Sequence, residues 1–142
     1  MIHNRCLVRQ KSDPSPYTEE AGVPRILVVD DEPDMCWALK RILRPAGYAV
    51  STTTSGLEAG ELVTKQRYAA ALVDGLDVAA AMRRLSPDTV VVLISAYYGR
   101  EDEAVTEGLE KGLFECFVAK PFDAEQIRMI ARRAVERARG EC

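Results

Sequence analysis

The stretch Ile26-Leu27-Val28-Val29-Asp30-Asp31-Glu32 decides the fold of this chain of 142 residues. Its four apolar residues run without polar alternation, which is typical of a strand buried on both faces, as in a parallel sheet. Three acidic residues follow at once, and Pro33 then suits the first turn of a helix. The stretch therefore predicts a buried parallel strand, a helix after it, and a cluster of acids where the strand ends.

The same alternation of strand and helix continues along the chain. Each short apolar run is followed by a segment whose apolar residues recur at helical spacing. Five strands alternating with five helices predict a doubly wound α/β domain with a parallel sheet. The predicted strands after the first are Tyr48–Thr53, Ala69–Val73, Val90–Ile94 and Cys116–Ala119. The predicted helices after the one at Pro33 are Leu57–Gln66, Val78–Leu85, Glu101–Lys111 and a last one that Asp123 caps, with Gln126 as its capping-box partner.

Residues 1–24 precede a domain that we place at residues 25–142. Three prolines lie in this extension among serine, threonine and charged residues, and no periodicity is sustained. That composition predicts a disordered or loosely docked extension. An alternative is an extra element that packs on the edge of the domain through Cys6, Leu7 and Val8.

The composition argues against several classes of function. A formal net charge of −3 provides no global basic field for nucleic acid. His3 is the single histidine and no cysteines form a CxxC pair, which disfavours a zinc site and histidine-dependent nucleophilic catalysis. Apolar runs such as Val90–Ile94 are far shorter than the ~20 residues that span a bilayer. We expect a cytoplasmic protein with reduced thiols, no membrane partner, and Cys36 and Cys116 in its core.

Reactive side chains fall where four of the predicted strands end. Asp30 and Asp31 end the first strand, Asp74 the third, Ser95 the fourth and Lys120 the fifth. In open parallel sheets, ligands bind outside the carboxyl ends of the strands. We therefore expect these five side chains to form one site.

The three carboxylates of this site repel one another, by about 4 kcal/mol for a pair ~4 Å apart at an effective dielectric constant of ~20. A hard divalent cation relieves this repulsion, and carboxylates with water molecules suit Mg²⁺, which also accepts phosphate oxygens. Lys120 adds a second positive charge, Asp74 offers a carboxylate nucleophile, and Ser95 offers a hydroxyl donor. Together these residues predict Mg²⁺-dependent phosphoryl chemistry.

Four stretches in this order make the chain similar to a known family: Ile26–Glu32, Tyr68–Asp74, Val90–Tyr97 and Val118–Phe122. With helices between them, they resemble the receiver domains of bacterial two-component response regulators, from residue 25 to about residue 139. The resemblance implies a flavodoxin-like sheet with strand order 2-1-3-4-5. It also implies a signalling module that acts by binding rather than by enzymatic turnover, and that at most dephosphorylates itself.

The resemblance assigns roles at the site. It implies that Asp31 and Asp74 bind Mg²⁺ directly and that Asp30 helps through water. It implies that Asp74 accepts a phosphoryl group from a partner sensor histidine kinase. Lys120 resembles the lysine that pairs with the phosphate, and the peptide before Pro121 is usually cis in this family.

Two further residues resemble the family's conformational switch. Ser95 matches the switch hydroxyl, and Phe117 matches the aromatic residue that swings inward when that hydroxyl moves to the phosphate. The family often signals and dimerises through its fourth helix, fifth strand and fifth helix. The arginines of the last helix are usually explained by a solvated helix face, and a dimer or partner surface is the more specific interpretation. Binding of nucleic acid by this helix alone is not expected.

The segment after Asp74 departs from the family pattern. The stretch from Asp74 to Ser95 is several residues shorter than usual, and Gly75-Leu76-Asp77 and a helix replace the usual Met-Pro loop. The family uses the backbone carbonyl two residues after the phosphoacceptor as a metal ligand, which falls on Leu76 here. We expect the shorter connection to disturb that ligand.

Two other interpretations of the acidic site stay open. The chain could be a degenerate receiver that acts as a phosphorylation-independent protein-interaction module, with Asp74 a plain strand-end residue and Asp30 to Glu32 a helix-capping cluster. It could also be a Mg²⁺-dependent phosphatase or phosphotransferase. Against that class, no Asp-x-Asp pair follows the first strand, and no segment is long enough for a substrate-covering cap.

Overall fold

The computed structural model describes residues 15–18 and 22–140, and its centre is a sheet of five strands. The strands are β1 (Arg25–Val29), β2 (Ala49–Thr53), β3 (Ala70–Asp74), β4 (Val90–Ser95) and β5 (Cys116–Ala119). They lie in the order β2-β1-β3-β4-β5, and every neighbouring pair is parallel. The predicted strand order and the flavodoxin-like topology are confirmed.

Five helices cover the two faces of this sheet. They are α1 (Pro33–Leu43), α2 (Gly56–Lys65), α3 (Leu76–Leu85), α4 (Glu103–Lys111) and α5 (Ala124–Ala138). Helix α4 begins two residues later than the predicted Glu101, because Asp102 accepts a hydrogen bond from the N–H of Gly99 at 2.6 Å and closes a turn before the helix. None of the helices in the described part is long and apolar enough to cross a membrane.

The side chains of β1 alternate between two halves of the core. Ile26 and Val28 pack under α1 and α5, whereas Leu27 and Val29 pack under α2, α3 and α4. Both faces of β1 are therefore buried, as the continuous apolar run predicts. Cys36 lies in the first half of the core as expected, but Cys116 is only half-buried at its margin.

The capping box predicted for the last helix is present. The Asp123 carboxylate accepts a hydrogen bond from the backbone N–H of Gln126 at 2.8 Å, and the Gln126 side chain accepts one from the N–H of Asp123 at 3.4 Å. This pair satisfies two N–H groups that otherwise lack partners at the start of α5. It fixes where the helix begins, immediately after the loop that follows β5.

Residues 15–18 of the N-terminal extension lie against β1 and α5. The Arg25 guanidinium donates to the backbone carbonyls of Ser15 and Tyr17, each at 2.8 Å. Arg139 donates to the Tyr17 hydroxyl at 2.7 Å. These residues are docked on the domain, while the flexibility of the rest of the extension stays a prediction. The alternative contact falls outside the described residues, at Cys6, Leu7 and Val8.

Candidate functional site

The carboxyl edge of the sheet gathers the side chains predicted to form the site. The parallel register places Asp30, the residue after β1, beside Asp74, the last residue of β3. It also places Ser95, the last residue of β4, beside the end of β5, where Lys120 follows. Each side chain stands there because its strand is apolar along its whole buried length and can carry a polar group only where it ends.

Three carboxylates meet at this edge and could hold a metal ion. One oxygen from each of Asp30, Asp31 and Asp74 lies within 4.8 Å of the other two. Asp30 is 2% exposed, Asp74 is half-buried and Asp31 is exposed. Exposure to solvent therefore increases from Asp30 to Asp74 to Asp31, and an ion would enter the cluster on the side of Asp31.

Both carboxylate oxygens of Asp30 are engaged within the protein. Oδ1 accepts a hydrogen bond from the N–H of Glu32 at 2.9 Å, and Oδ2 accepts one from the ammonium of Lys120 at 2.9 Å. A nearly buried carboxylate requires such partners, since an unpaired charge there would be costly. These bonds leave Asp31 and Asp74 as the carboxylates freer to bind an ion directly.

The Lys120 ammonium lies close to two carboxylates of the cluster and to the neighbouring Glu32. It lies 2.9 Å from Asp30 Oδ2, 3.4 Å from Asp74 Oδ2 and 3.8 Å from Glu32 Oε1. Burial by itself lowers the pKa of Lys120, but the hydrogen bond from its ammonium to Asp30 and the charges of Asp30 and Asp74 outweigh burial and leave the pKa raised. The side chain is thus a fixed positive charge at the bottom of the site.

Burial raises the pKa of the Asp74 carboxyl above its ordinary value. The negative charges of Asp30 and Asp31 also raise this pKa, and the neighbouring Lys120 ammonium lowers it without cancelling the rise. The carboxylate form of Asp74 is therefore less favoured than that of a solvated aspartate. Additional positive charge at this edge would stabilise it.

Ser95 is buried at the end of β4 and turns its hydroxyl into the backbone that follows. Its Oγ accepts hydrogen bonds from the N–H groups of Tyr97 and Tyr98, at 3.0 and 3.1 Å. The hydroxyl proton is left to donate to another group. The Ser95 side chain lies at the predicted edge of the sheet, but in this structure its hydrogen bonds are to the loop that follows β4.

Phe117 is buried in the half of the core that lies under α4, beside Leu93 and Val105. The guanidinium of Arg100 lies over its ring, 5.9 Å from the centroid. The aromatic ring predicted to move with Ser95 therefore occupies an inward position on the strand next to it.

The connection after Asp74 is as short as the sequence indicates. Gly75 has φ 124° and ψ 134°, a backbone conformation that glycine adopts without the strain of a side chain, and it turns β3 directly into α3. Helix α3 begins at Leu76, two residues before the predicted Val78. A carbonyl at the start of a helix points along the axis towards the N–H four residues on. The Leu76 carbonyl therefore faces into α3 and away from the carboxylates, so the metal ligand that the family resemblance places there is not presented.

Two contributors to the site were missed at the level of sequence. Glu32 faces Lys120, and its position directly after the two aspartates was an available signal. The second strand, which showed no reactive residue, supplies the carbonyl of Thr53, and this carbonyl accepts a hydrogen bond from the N–H of Asp30 at 3.1 Å. It holds the Asp30 backbone in place, but a backbone carbonyl has no residue-type signature.

Comparison with known proteins gives the family. Residues 26–132 match the model of the response regulator receiver domain. The chain belongs to this family. The transcriptional regulatory protein PrrA of Mycobacterium tuberculosis is 35% identical over 125 residues, which cover 82% of this chain and 52% of PrrA. The sporulation initiation phosphotransferase F of Bacillus subtilis is 31% identical over 111 residues, covering 73% of this chain and 87% of that protein.

Solved structures agree on the fold of this receiver domain. The CheY-like receiver domain protein from Methanospirillum hungatei superposes with a TM-score of 0.76 at 18% identity, covering 84% of this chain and 99% of that one. The receiver chain spans about half the length of PrrA. The family is that of two-component signalling proteins, and the receiver is a module of the signalling type.

Proposed function

We propose that this receiver domain accepts a phosphoryl group on Asp74 from a partner sensor histidine kinase. The observation that carries the proposal is the cluster itself: three carboxylates with oxygens within 4.8 Å of one another, and an ammonium 3.4 Å from the one that ends β3. Three carboxylates this close repel one another, and Lys120 offsets only part of that repulsion, since the pKa of Asp74 stays raised beside it. A site of this kind is suited to bind a cation and a phosphoryl group together.

Asp74 is the nucleophile in this proposal. Its carboxylate oxygen forms the new bond to phosphorus while the bond from phosphorus to the donor nitrogen breaks, and the imidazole, which carries a proton on its other ring nitrogen, leaves as a neutral ring. Lys120 stands close enough to pair with a phosphoryl oxygen once the Asp74 oxygen is esterified. Asp30 keeps Lys120 in position through their 2.9 Å contact.

The carboxylates Asp30, Asp31 and Asp74 fit Mg²⁺ by the chemistry of the donor set, which is all oxygen and carries a formal charge opposite to the ion. When bound there, Mg²⁺ would supply positive charge to the phosphoryl oxygens and to Asp74. Without the Leu76 carbonyl, the protein offers these three side chains, and water molecules would complete the coordination. We expect weaker Mg²⁺ binding than in a receiver that keeps the longer loop.

The phosphorylated state is proposed to be read at the face formed by α4, β5 and α5. In this structure the Ser95 hydroxyl oxygen accepts hydrogen bonds from two N–H groups of its own loop, and its proton is free to donate. Ser95 would turn to donate this proton to the phosphoryl group, and its bonds to the loop would break. Phe117 lies on the adjacent strand and packs against α4, so a shift of the β4–α4 loop reaches that face directly. We also propose that the domain forms a homodimer through this same face. The location that we propose for the protein is the cytoplasm.

The test is uptake of phosphate from acetyl phosphate, followed by the mass of the intact chain with and without Mg²⁺. We expect Mg²⁺-dependent uptake of one phosphoryl group, lost in Asp74→Asn. Asp77→Asn is the matched control, because Asp77 is an exposed acid in the first turn of α3, outside the cluster. No uptake at saturating Mg²⁺, or equal loss in the two variants, would contradict the proposal.

A second candidate is a phosphorylation-independent interaction module. Two observations favour it: the Leu76 carbonyl is turned into α3, and Lys120 already compensates Asp30 and Asp74 as an internal cation. On this account the chain would bind its partner equally well as the wild type and as Asp74→Asn. Absence of uptake together with unchanged partner binding would select it.

A further inference from the structure

One flank of α1 carries an exposed tryptophan among three cations. Trp37 is 61% exposed, and Lys40, Arg41 and Arg44 follow it by three, four and seven positions, the spacing that puts residues on one face of a helix. We call these four residues the Trp37 surface. The core of the domain does not need Trp37, since α1 is anchored there by its opposite face.

Two residues of the Trp37 surface are already in contact with each other. The guanidinium of Arg41 stacks over the indole ring at 4.9 Å from its centroid. Trp and Arg are the residue types that most often dominate binding at protein interfaces. A tryptophan already held by a neighbouring side chain loses little conformational freedom on binding, which favours affinity.

Two concavities share Trp37 and Lys40 as walls. One, of about 450 Å³, is completed by Arg41, Arg44 and Pro45. The other, of about 400 Å³, runs between α1 and the end of β2, where it ends at Glu58. An apolar side chain can therefore be seated on either side of the indole, with cations beside it.

The cations of this surface are not paired with carboxylates in the part of the chain that the structure describes. Among the described residues, no ion pair joins Lys40, Arg41 or Arg44 to a carboxylate. This local excess of positive charge lies on a chain whose formal net charge is −3. Unpaired cations around an exposed aromatic ring are complementary to a partner that is both acidic and apolar.

We propose that the Trp37 surface docks an acidic amphipathic segment of a partner protein, with an apolar side chain against Trp37 and carboxylates on the three cations. The surface is a protein-binding site rather than a nucleic-acid site because it is short. From Trp37 to Arg44 it extends about 10 Å along α1, and Asp34 and Glu58 bound it on the side of the carboxylate cluster. A phosphate backbone, with a charge every ~1.7 Å of duplex, would run into those acids.

This docking is independent of phosphorylation on Asp74. Helix α1 packs on β2, at the edge of the sheet opposite β5, and its Trp37 flank faces away from α5. The α4, β5 and α5 face stays open while the Trp37 surface is occupied. The proposal therefore stands or falls separately from the function assigned to the carboxylate cluster.

The single tryptophan makes this surface directly observable by fluorescence. The probe is a synthetic helical peptide with glutamates on one face and leucines on the other, titrated into the full chain. The matched control is the same peptide with lysines in place of the glutamates, and a short DNA duplex is the third ligand. We expect a saturable change in Trp37 emission with the acidic peptide alone.

Two variants locate the binding. Arg44→Glu should weaken binding of the acidic peptide at least about 10-fold, or about 1.4 kcal/mol. Arg84→Glu, the same change at an exposed arginine near the end of α3, should leave it unchanged. Calorimetry with Trp37→Ala should show no binding, with circular dichroism confirming the fold. No saturable change, equal effects of both arginine variants, or tighter binding of the duplex would overturn the proposal.

Discussion

Replacing Lys120 with glutamine tests whether its charge holds the carboxylate cluster together. Asp30 and Asp74 bring oxygens within 4.8 Å of each other, which at an effective dielectric constant of ~20 corresponds to a repulsion of about 3 kcal/mol. The ammonium that offsets this repulsion lies 2.9 and 3.4 Å from them. Removing one partner of a buried ion pair typically costs ~3–5 kcal/mol. In urea titrations without divalent ions, we expect Lys120→Gln to lower the free energy of unfolding by about 3 kcal/mol.

The matched control is Lys111→Gln. Its ammonium lies 3.9 Å from Glu107 on an exposed face of α4, and such surface pairs contribute about 0.5 kcal/mol or less. Mg²⁺ should restore part of the stability lost in Lys120→Gln, because an ion among the three carboxylates replaces the missing charge. A loss as small as that in Lys111→Gln would refute the reasoning about the cluster. A large loss that Mg²⁺ leaves unchanged would refute the metal assignment.

Two further predictions concern the packing of the domain. Gly108→Ala should destabilise it by about 1–3 kcal/mol, measured by thermal unfolding, because the added Cβ would lie 2.4 Å from a ring carbon of Phe114; a stabilised variant, as helix propensity alone predicts, would contradict this packing. Burial raises the pKa of the Cys36 thiol above 9.0 in the folded state, so the unfolded chain loses that proton first as pH rises. The free energy of unfolding should therefore fall above pH ~9, and less steeply in Cys36→Ala; identical slopes would contradict the prediction.

The sequence was sufficient to predict the sheet, for a physical reason visible in β1. Ile26 to Val29 are apolar on both faces, and a short run buried on both faces is typical of a parallel sheet that helices cover. Strand ends then followed from the last apolar residue of each run. That is why the sequence alone places Asp74, Ser95 and Lys120 at one edge of the sheet.

Details that depend on backbone conformation were not predictable in the same way. The start of α3 was wrong by two residues, because the composition of Gly75 and Leu76 does not reveal that a φ of 124° turns the strand directly into a helix. The direction of the Leu76 carbonyl depends on that turn. The support of Asp30 by Thr53 is equally invisible, since any residue at that position offers the same carbonyl.

The central claim is that Asp74, and no other acid of the cluster, carries the phosphoryl group. The most direct measurement is borohydride trapping after incubation with acetyl phosphate and Mg²⁺, with the reduced residue located by peptide mass mapping. Borohydride reduces an aspartyl phosphate to homoserine, so the account predicts homoserine at position 74 alone. Homoserine at position 30 or 31, or none at any position, would contradict it.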